Sequence, residues 1–211
     1  MNAETNLHPS PTEVSTINLR QQIINFMGPE GSGKTTLAKR LSADCGKPRL
    51  VYGDIFRELA ANDPGPHGDE CRAVFIEHRY IKPEILFEIM VERFKQDDLA
   101  DGFILDGAMR TVGEVQSFQE MLDQAGRTMP FTNVFLRVPG WMGIERILEN
   151  AEARNRSDDI PDAILSRLSH FYTELGRRAN IIEGISGWRL LHVNGTGSVE
   201  ETYDRVLAAL L

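Results

Sequence analysis

The stretch Gly28-Pro29-Glu30-Gly31-Ser32-Gly33-Lys34-Thr35-Thr36 fits the pattern G-x-x-x-x-G-K-[ST], which is typical of a loop that binds phosphate. An apolar run at residues 23–27 predicts a buried strand before it, and apolar residues at helical spacing predict a helix after it. Phosphate binding needs this order, because glycines let the backbone N–H groups point inward and a helix N-terminus adds positive potential. The pattern predicts that Lys34 reaches the β- and γ-phosphates of a nucleotide and that Thr35 ligates Mg²⁺. The alternative is a glycine-rich turn that binds nothing.

The length and composition predict one globular domain. The chain has 211 residues, of which 41% are hydrophobic and 26% charged, so it can bury one sizeable core. Its net charge of −8 argues against a general nucleic-acid binder, which would need a basic face. An apolar run of about 18 residues, which a membrane span requires, is absent from the sequence. Cys45 and Cys71 lack metal-binding spacing, so we expect no zinc, no disulfide framework and a cytoplasmic location.

Residues 1–18 are polar and lack the apolar centre of a signal peptide. We therefore expect a disordered tail there and a folded domain over residues 19–211. Within that domain, predicted strands alternate with predicted helices, which indicates an α/β fold with a parallel sheet covered on both faces. The strands are predicted at residues 23–27, 50–52, 102–106, 133–138 and 188–193. Residues 62–68 contain two prolines and two glycines and predict a loop.

Two pairs of residues predict capped helix N-termini, Thr111 with Glu114 and Ser198 with Glu201. Ligands of parallel sheets bind at the carboxyl ends of the strands, where the phosphate loop, Asp54 and Asp106 are predicted to lie. Asp106 could hold Mg²⁺ directly or through water, or it could simply cap a helix. Arginines from several elements could form a phosphate cage, because guanidinium groups bind phosphate oxygens bidentately, although each alone could be a surface residue. The candidates are Arg57, Arg110, Arg146, Arg154, Arg156 and Arg167.

Four motifs together resemble the adenylate kinases and related nucleoside monophosphate (NMP) kinases. They are the loop at residues 28–36, Gly53-Asp54-x-x-Arg57, Gly102-Phe103-Ile104-Leu105-Asp106-Gly107-x-x-Arg110-Thr111, and Arg156-x-Asp158-Asp159 followed by Arg167-Leu168. The resemblance spans about residues 22–211, and its last two motifs are more specific than the loop. It implies a P-loop NTPase-type, three-layer α/β/α fold with a five-stranded parallel sheet. An NMP-binding segment is implied at about residues 54–83 and a short lid at about residues 146–159.

The resemblance also implies the reaction, in which ATP with Mg²⁺ gives its γ-phosphoryl group to a nucleoside monophosphate, most simply AMP. The implied partners are ATP and the monophosphate, without nucleic acid or membrane, and the protein is expected to be a cytoplasmic monomer. Only residues 147–155 separate Arg146 from Arg156, which is too short for a β-stranded lid, and this stretch holds no zinc ligands.

The family's functional residues carry over by position. The implied ATP-binding residues are Gly28, Pro29, Glu30, Gly31, Ser32, Gly33, Lys34, Thr35, Thr36 and Arg146. The implied NMP-binding residues are Tyr52, Gly53, Arg57, Gly107, Arg110 and Glu114. Residues expected to be catalytic by neutralising the transferring group are Lys34, Arg110, Arg146, Arg156 and Arg167. Asp158 and Asp159 would orient the lid arginines, and Mg²⁺ would be held by Thr35 and, through water, by Asp106.

The sequence departs from the family chiefly on the monophosphate side. Tyr52 stands where the family usually has Thr, and Ala108-Met109 stands where it has Phe-Pro. Glu114 stands where Gln commonly reads adenine. A glutamate can accept a hydrogen bond from the amino group of adenine or cytosine, but it cannot donate to a ring nitrogen unless it is protonated. The alternative is that Glu114 only caps its helix.

Two further departures concern the lid. Asn150 replaces a second lid arginine, for which Arg154 could substitute, and Leu175-Gly176-Arg177-Arg178 replaces the usual Thr-x-Pro-Leu. Three hypotheses remain: a kinase acting on AMP, a kinase for CMP, UMP or another small phosphorylated acceptor, and a nucleotide-binding relative with little catalysis. The last is opposed by the joint retention of the phosphate-binding cations Lys34, Arg57, Arg110, Arg156 and Arg167.

Overall fold

The computed structural model describes residues 21–77, 79–150 and 161–211. The five strands in these ranges are β1 (Gln22–Met27), β2 (Arg49–Val51), β3 (Gly102–Asp106), β4 (Phe131–Arg137) and β5 (Trp188–Asn194). The helices in the same ranges are α1 (Lys34–Cys45), α2 (Tyr52–Asn62), α3 (Pro66–Glu77), α4 (Pro83–Phe94), α5 (Val112–Gln124), α6 (Gly140–Glu149), α7 (Pro161–Gly184) and α8 (Val199–Leu210). The predicted tail at residues 1–18 lies outside the described residues, as do residues 151–159 of the predicted lid.

The five strands form one parallel sheet in the order β2-β3-β1-β4-β5. Strand β1, which leads into the phosphate loop, lies in the middle with β3 on one side and β4 on the other. The chain crosses to opposite sides of β1, so a crevice opens beyond its carboxyl end, where such sheets bind ligands. The predicted α/β class and five-stranded parallel sheet are confirmed.

Side chains on the two faces of the sheet build two separate cores. In β1, Ile23 and Met27 join one core, while Ile24 and Phe26 join the other. The first core packs against α4, α5 and the end of α7, and the second against α1 and α8. Because both faces are buried, the strands are apolar along most of their length rather than alternating. The two cores give the predicted three layers.

The region after β2 differs from the sequence prediction. Helix α3 begins at Pro66, inside residues 62–68, for which the sequence predicts a loop. The cause is Asp63, whose carboxylate accepts hydrogen bonds from the backbone N–H groups of Gly65 (2.7 Å) and Gly68 (3.0 Å). These bonds satisfy N–H groups at the start of the helix, and Pro66 fits its first turn because no N–H is needed there. The loop prediction is wrong from residue 66 onward.

The predicted cap of α8 is confirmed. The hydroxyl of Ser198 accepts a hydrogen bond from the Glu201 N–H (3.1 Å), and the Glu201 carboxylate accepts one from the Ser198 N–H (2.8 Å). The box ends the loop that follows β5 and fixes the direction in which α8 packs back onto the sheet.

Helix α6 packs directly against the phosphate loop through two glycines. Gly31 has a φ of +73°, and a Cβ atom built on it would lie 2.0 Å from the Gly143 carbonyl oxygen. A Cβ atom built on Gly143 would lie 2.3 Å from the Glu30 carbonyl oxygen. No side chain tolerates such distances, so the loop and α6 meet backbone to backbone.

We expect Gly143→Ala to lower the midpoint of thermal unfolding, because the added methyl group must push α6 off the loop at a cost of about 1–3 kcal/mol. Gly176→Ala is the matched control, since Gly176 lies within α7 and a Cβ atom there meets no atom within 4 Å. Alanine should stabilise that helix by about 1 kcal/mol. Circular dichroism melting curves of both variants test this, and an unchanged midpoint for Gly143→Ala would contradict the tight contact.

Candidate active site

A cleft lined by several cations lies at the carboxyl ends of the central strands. Its walls come from the phosphate loop, the turn after β3, the segment before α4 and helix α7. Four of its lining residues are cations, and one is a carboxylate: Lys34, Arg110, Arg167 and Arg178 against Glu30. A concave site with this excess of positive charge suits a phosphorylated ligand, although the whole chain is acidic. Three of these cations have a sequence-predicted role, and Arg178 has none.

Lys34 lies across its own loop. Its ammonium group donates hydrogen bonds to the carbonyl oxygens of Gly28 (2.8 Å) and Pro29 (2.7 Å). Gly33 precedes helix α1 in the left-handed conformation, with a φ of 90°. Glycine has no side chain to cap the helix, so the first N–H groups of α1 are suited to an anionic ligand. The loop therefore presents an ammonium group and a helix N-terminus to the same point.

Thr35 and Asp106 bring two oxygen ligands together. The Thr35 hydroxyl donates to one carboxylate oxygen of Asp106 (3.1 Å), and the other oxygen accepts from the Arg49 guanidinium (2.6 Å). Hydroxyl and carboxylate oxygens are ligands that Mg²⁺ prefers. Among the described residues no group of three or more His, Cys, Asp or Glu side chains could enclose a metal ion. The pair fits a Mg²⁺ that keeps water and phosphate oxygens as its other ligands.

Arg49 is a partner that the sequence prediction missed. It lies on β2, which pairs with β3 in a register that sets Arg49 opposite Ile104. Nothing local in the sequence shows this register, because it depends on which strands become neighbours.

Arg110 and Arg167 reach the cleft from different elements. The Arg110 Nε–H donates to the Gly107 carbonyl oxygen (2.7 Å), so the guanidinium folds back over the turn after β3. Gly107 has a φ of +84°, in the left-handed region that favours glycine, and a Cβ atom there would lie 2.8 Å from that guanidinium. Arg167 projects from α7 and forms an ion pair with Glu30 of the phosphate loop (3.6 Å). Two predicted phosphate ligands thus line one cleft.

Two other predicted arginines have partners elsewhere. Arg57 pairs with Asp54 one turn earlier in α2. Arg146 donates to the carbonyl oxygens of Gly195 (3.2 Å) and Gly197 (3.1 Å), in the loop that follows β5. Neither is among the described residues that line the cleft. The predicted lid residues Arg154, Arg156, Asp158 and Asp159 lie outside the described residues.

Glu114 turns toward the backbone at the start of α5. Its own N–H donates to the Thr111 hydroxyl (3.2 Å), which confirms that Thr111 caps the helix. The Glu114 carboxylate accepts a hydrogen bond from the Arg110 N–H (2.9 Å), whereas a capping box would use the N–H of the next residue, Thr111. Burial raises the pKa of the Glu114 carboxyl group. Tyr52 is buried, and burial raises the pKa of its hydroxyl well above the ordinary value, with a further contribution from the charge of Glu114.

Arg178 could have been found from the periodicity of α7. Ile164, Leu168 and Ile182 are buried on one side of the helix, and Phe171 lines the cleft on that side. With Arg178 included, successive positions are four, three, seven and four residues apart, all close to whole helical turns, so Arg178 lies on the inner stripe and its neighbour Arg177 outside it.

Glu70 anchors the chain between α3 and α4. Only 7% of its side chain is exposed, and its carboxylate accepts hydrogen bonds from the Arg79 guanidinium (2.5 and 3.0 Å) and the Lys82 backbone N–H (3.0 Å). The bonds from Arg79, followed by those from Lys82, lower the pKa of this carboxyl to about 2. Tyr80, which lines the cleft, lies between these two partners in the chain. Glu70 therefore fixes one wall of the cleft.

Comparison with known proteins gives consistent matches. A family model described as adenylate kinase matches residues 26–183. A protein named adenylate kinase from Micrococcus luteus is 33% identical over 185 residues, covering 88% of this chain and 88% of the relative. Two proteins of the same name match over 186 residues that cover 88% of this chain and 97% of the relative. They are from Xanthomonas euvesicatoria pv. vesicatoria, at 33% identity, and Xanthomonas oryzae pv. oryzae, at 32%.

We expect Glu70→Gln to lower the unfolding midpoint at pH 7, because glutamine cannot pair with both Arg79 and Lys82 as a carboxylate does. The pKa of Glu70 is about 2 in the folded state against an ordinary value of 4.5. Its depressed pKa therefore stabilises the fold above about pH 4.5, and this stabilisation is lost as the pH falls toward 2. In melting curves, the difference in unfolding midpoint between wild type and variant should therefore shrink as the pH is lowered over that range.

Glu77→Gln is the control for this comparison. Glu77 also pairs with Arg79 (2.6 Å), but 56% of its side chain is exposed, so its loss should have little effect. A gap for Glu70→Gln that stays constant from pH 7 to pH 2 would refute the role of the charged carboxylate.

Proposed function

The chain belongs to the adenylate kinase family of nucleotide-binding phosphotransferases, and we propose that it transfers the γ-phosphoryl group of ATP to AMP, giving two ADP. The observation that carries the proposal is the meeting of Lys34, Arg110 and Arg167 in one cleft beside the phosphate loop. Phosphoryl transfer needs little covalent chemistry from the protein. Its rate depends on positioning the two substrates and on neutralising charge around the migrating group, which three cations from separate elements support.

ATP would bind at residues 28–36, with its phosphates on the backbone N–H groups of the loop and the N-terminus of α1. Lys34 would exchange the carbonyl oxygens of Gly28 and Pro29 for phosphate oxygens. Arg146 would exchange the carbonyl oxygens of Gly195 and Gly197, in the loop after β5, for phosphate oxygens. Thr35 would ligate Mg²⁺, and Asp106 would hold one of its waters. Bound Mg²⁺ would neutralise part of the phosphate charge.

The monophosphate would bind at the other end of the cleft. Arg57 and Arg110 would hold its phosphate, and Tyr52, Gly53 and Gly107 would surround it. Arg167 would face the transferring group, and Arg156, oriented by Asp158 and Asp159, would reach it from the lid at about residues 146–159. We propose that residues 54–83 move with the acceptor and that lid closure excludes water, which would otherwise hydrolyse ATP.

We further propose that the protein works as a monomer in the cytoplasm. Cys45 and Cys71 are free thiols, which suits a reducing compartment. Within residues 21–77, 79–150 and 161–211, every helix is too short or too polar to cross a membrane.

A second acceptor class is CMP, UMP or another small phosphorylated compound. The features that favour it are the departures Tyr52, Ala108-Met109 and Glu114 on the monophosphate side, since Glu114 stands where the family commonly reads adenine. A nucleotide-binding relative with little catalysis is the third candidate. The convergence of Lys34, Arg110 and Arg167 argues against it, because mere nucleotide binding does not require cations around the transferring group.

The test supplies the protein with ATP, Mg²⁺ and one of AMP, CMP, UMP or GMP, and measures the rate at which diphosphates form. We expect AMP to react fastest, and Lys34→Met to lower kcat by about a hundredfold or more, because it removes a charge aimed at the transferring phosphate. Lys39→Met is the matched control, since Lys39 is exposed on the same helix. Faster turnover of another acceptor would assign the protein to the second class. Absence of turnover with all four would refute transfer to AMP and would favour another phosphorylated acceptor or the nucleotide-binding relative.

Glu114→Gln tests what reads the acceptor base. The carboxylate already accepts from the Arg110 N–H, and a glutamine oxygen can accept the same bond. We therefore expect the ratio of AMP to CMP turnover to stay within about twofold of the wild-type ratio, because the helix cap is preserved. Initial rates at subsaturating acceptor give this ratio. A clear rise in AMP preference would show instead that Glu114 reads the base.

A further inference from the structure

Arg178 is a buried cation that the proposed reaction does not use. Of the lysines and arginines in the described residues, it alone is buried, with 1% of its surface exposed. Its guanidinium donates to the carbonyl oxygens of Met109 (2.8 Å) and Phe171 (2.7 Å) and lies 4.7 Å above the Phe171 ring. Its Nε–H has no hydrogen-bond partner among the described residues. Burying a guanidinium costs free energy, so this position calls for an explanation.

The carbonyl that Arg178 holds belongs to an unusual residue. Met109 has a φ of 57°, in the left-handed region that side chains other than glycine rarely adopt, and it is completely buried. Such a conformation persists only where the surrounding structure enforces it. The peptide after Met109 leads directly into Arg110, whose guanidinium lines the cleft. The conformation of Met109 therefore sets the direction in which Arg110 leaves the turn.

A second residue of α7 holds the other side of the turn. Glu174, one turn before Arg178 in α7, accepts a hydrogen bond from the Val112 N–H (2.9 Å). Helix α7 thus holds the chain at Met109 and Val112, with Arg110 between them. Arg167 lies three turns before Arg178 on the same side of the helix and pairs with Glu30. One helix therefore contacts both the phosphate loop and the turn that carries Arg110.

We propose that Arg178 is a positioning residue, which fixes the Met109 peptide and thereby aims Arg110 at the phosphate of the acceptor. The inference rests on the proposed function, because it takes Arg110 as the acceptor's ligand. Loss of Arg178 frees the Met109 carbonyl, so Arg110 loses its fixed direction and acceptor binding weakens. ATP binding is preserved, because the contacts of Lys34 and Thr35 do not involve Arg178.

The experiment compares Arg178→Met, Arg178→Lys and the control Arg177→Met, in which the exposed neighbouring arginine receives the same substitution. We expect Arg178→Met to raise KM for AMP about tenfold and to leave KM for ATP within about twofold, as loss of a hydrogen bond from a charged group implies. Arg177→Met should change neither constant. Arg178→Lys should also raise KM for AMP, because one ammonium group cannot reproduce the fork that reaches two carbonyls.

Unfolding midpoints and calorimetric titrations with AMP and with ATP accompany the kinetics. If Arg178→Met does not fold, Arg178→Lys provides the same comparison. An unchanged KM for AMP, an equal rise in both KM values, or full recovery of AMP binding in Arg178→Lys would overturn the positioning role. Failure of the proposed function is distinguishable, because the wild-type protein would then lack turnover, whereas the calorimetric loss of AMP binding in the variants measures the inference without turnover.

Discussion

The arrangement of the site depends on how tightly the backbone turns between β1 and α1. A Cβ atom on Gly28 would lie 2.6 Å from the Ser32 hydroxyl, and one on Gly31 would lie 2.0 Å from the Gly143 carbonyl oxygen. The turn therefore exists only with glycines, and α6 can approach it only through its own glycine. Because β1 is the central strand, this turn lies beside the ends of β3 and β4. Asp106, at the end of β3, reaches Thr35 for that reason.

Helix α7 is the second element on which the geometry depends. It approaches the phosphate loop through Arg167 and the turn after β3 through Glu174 and Arg178. A transfer between two bound phosphates is sensitive to displacements of about 1 Å in their relative position. An element that contacts both binding regions can fix that relative position, whereas two independently held loops would each add their own motion. The position of α7 thus links the two halves of the proposed reaction.

The sequence predicted the parts of the structure that local pattern determines. Alternating apolar strands and helices predicted the five-stranded parallel sheet, and the phosphate loop, Asp106 and Arg110 were found because they lie at or shortly after the ends of predicted strands. The start of α3 was missed because the Asp63 cap overrides two prolines and two glycines. The Arg49–Asp106 pair was missed because it depends on strand register. The assigned roles of Arg57 and Arg146 remain predictions, since their partners here are Asp54 and the loop after β5.

Although the chain as a whole is acidic, each cation of the proposed site already has an oxygen partner within the protein. Lys34, Arg110 and Arg146 are held by backbone carbonyls, which are neutral acceptors. In the proposed reaction a phosphate oxygen would replace such a partner with a charged one, and charge-assisted hydrogen bonds are roughly twice as strong as neutral ones. Arg178 differs because it is buried, so an exchange of partners would leave the carbonyls of Met109 and Phe171 unpaired inside the protein. A hydrogen bond to a backbone carbonyl therefore leaves an accessible cation able to bind a ligand, whereas it holds a buried cation in a fixed position.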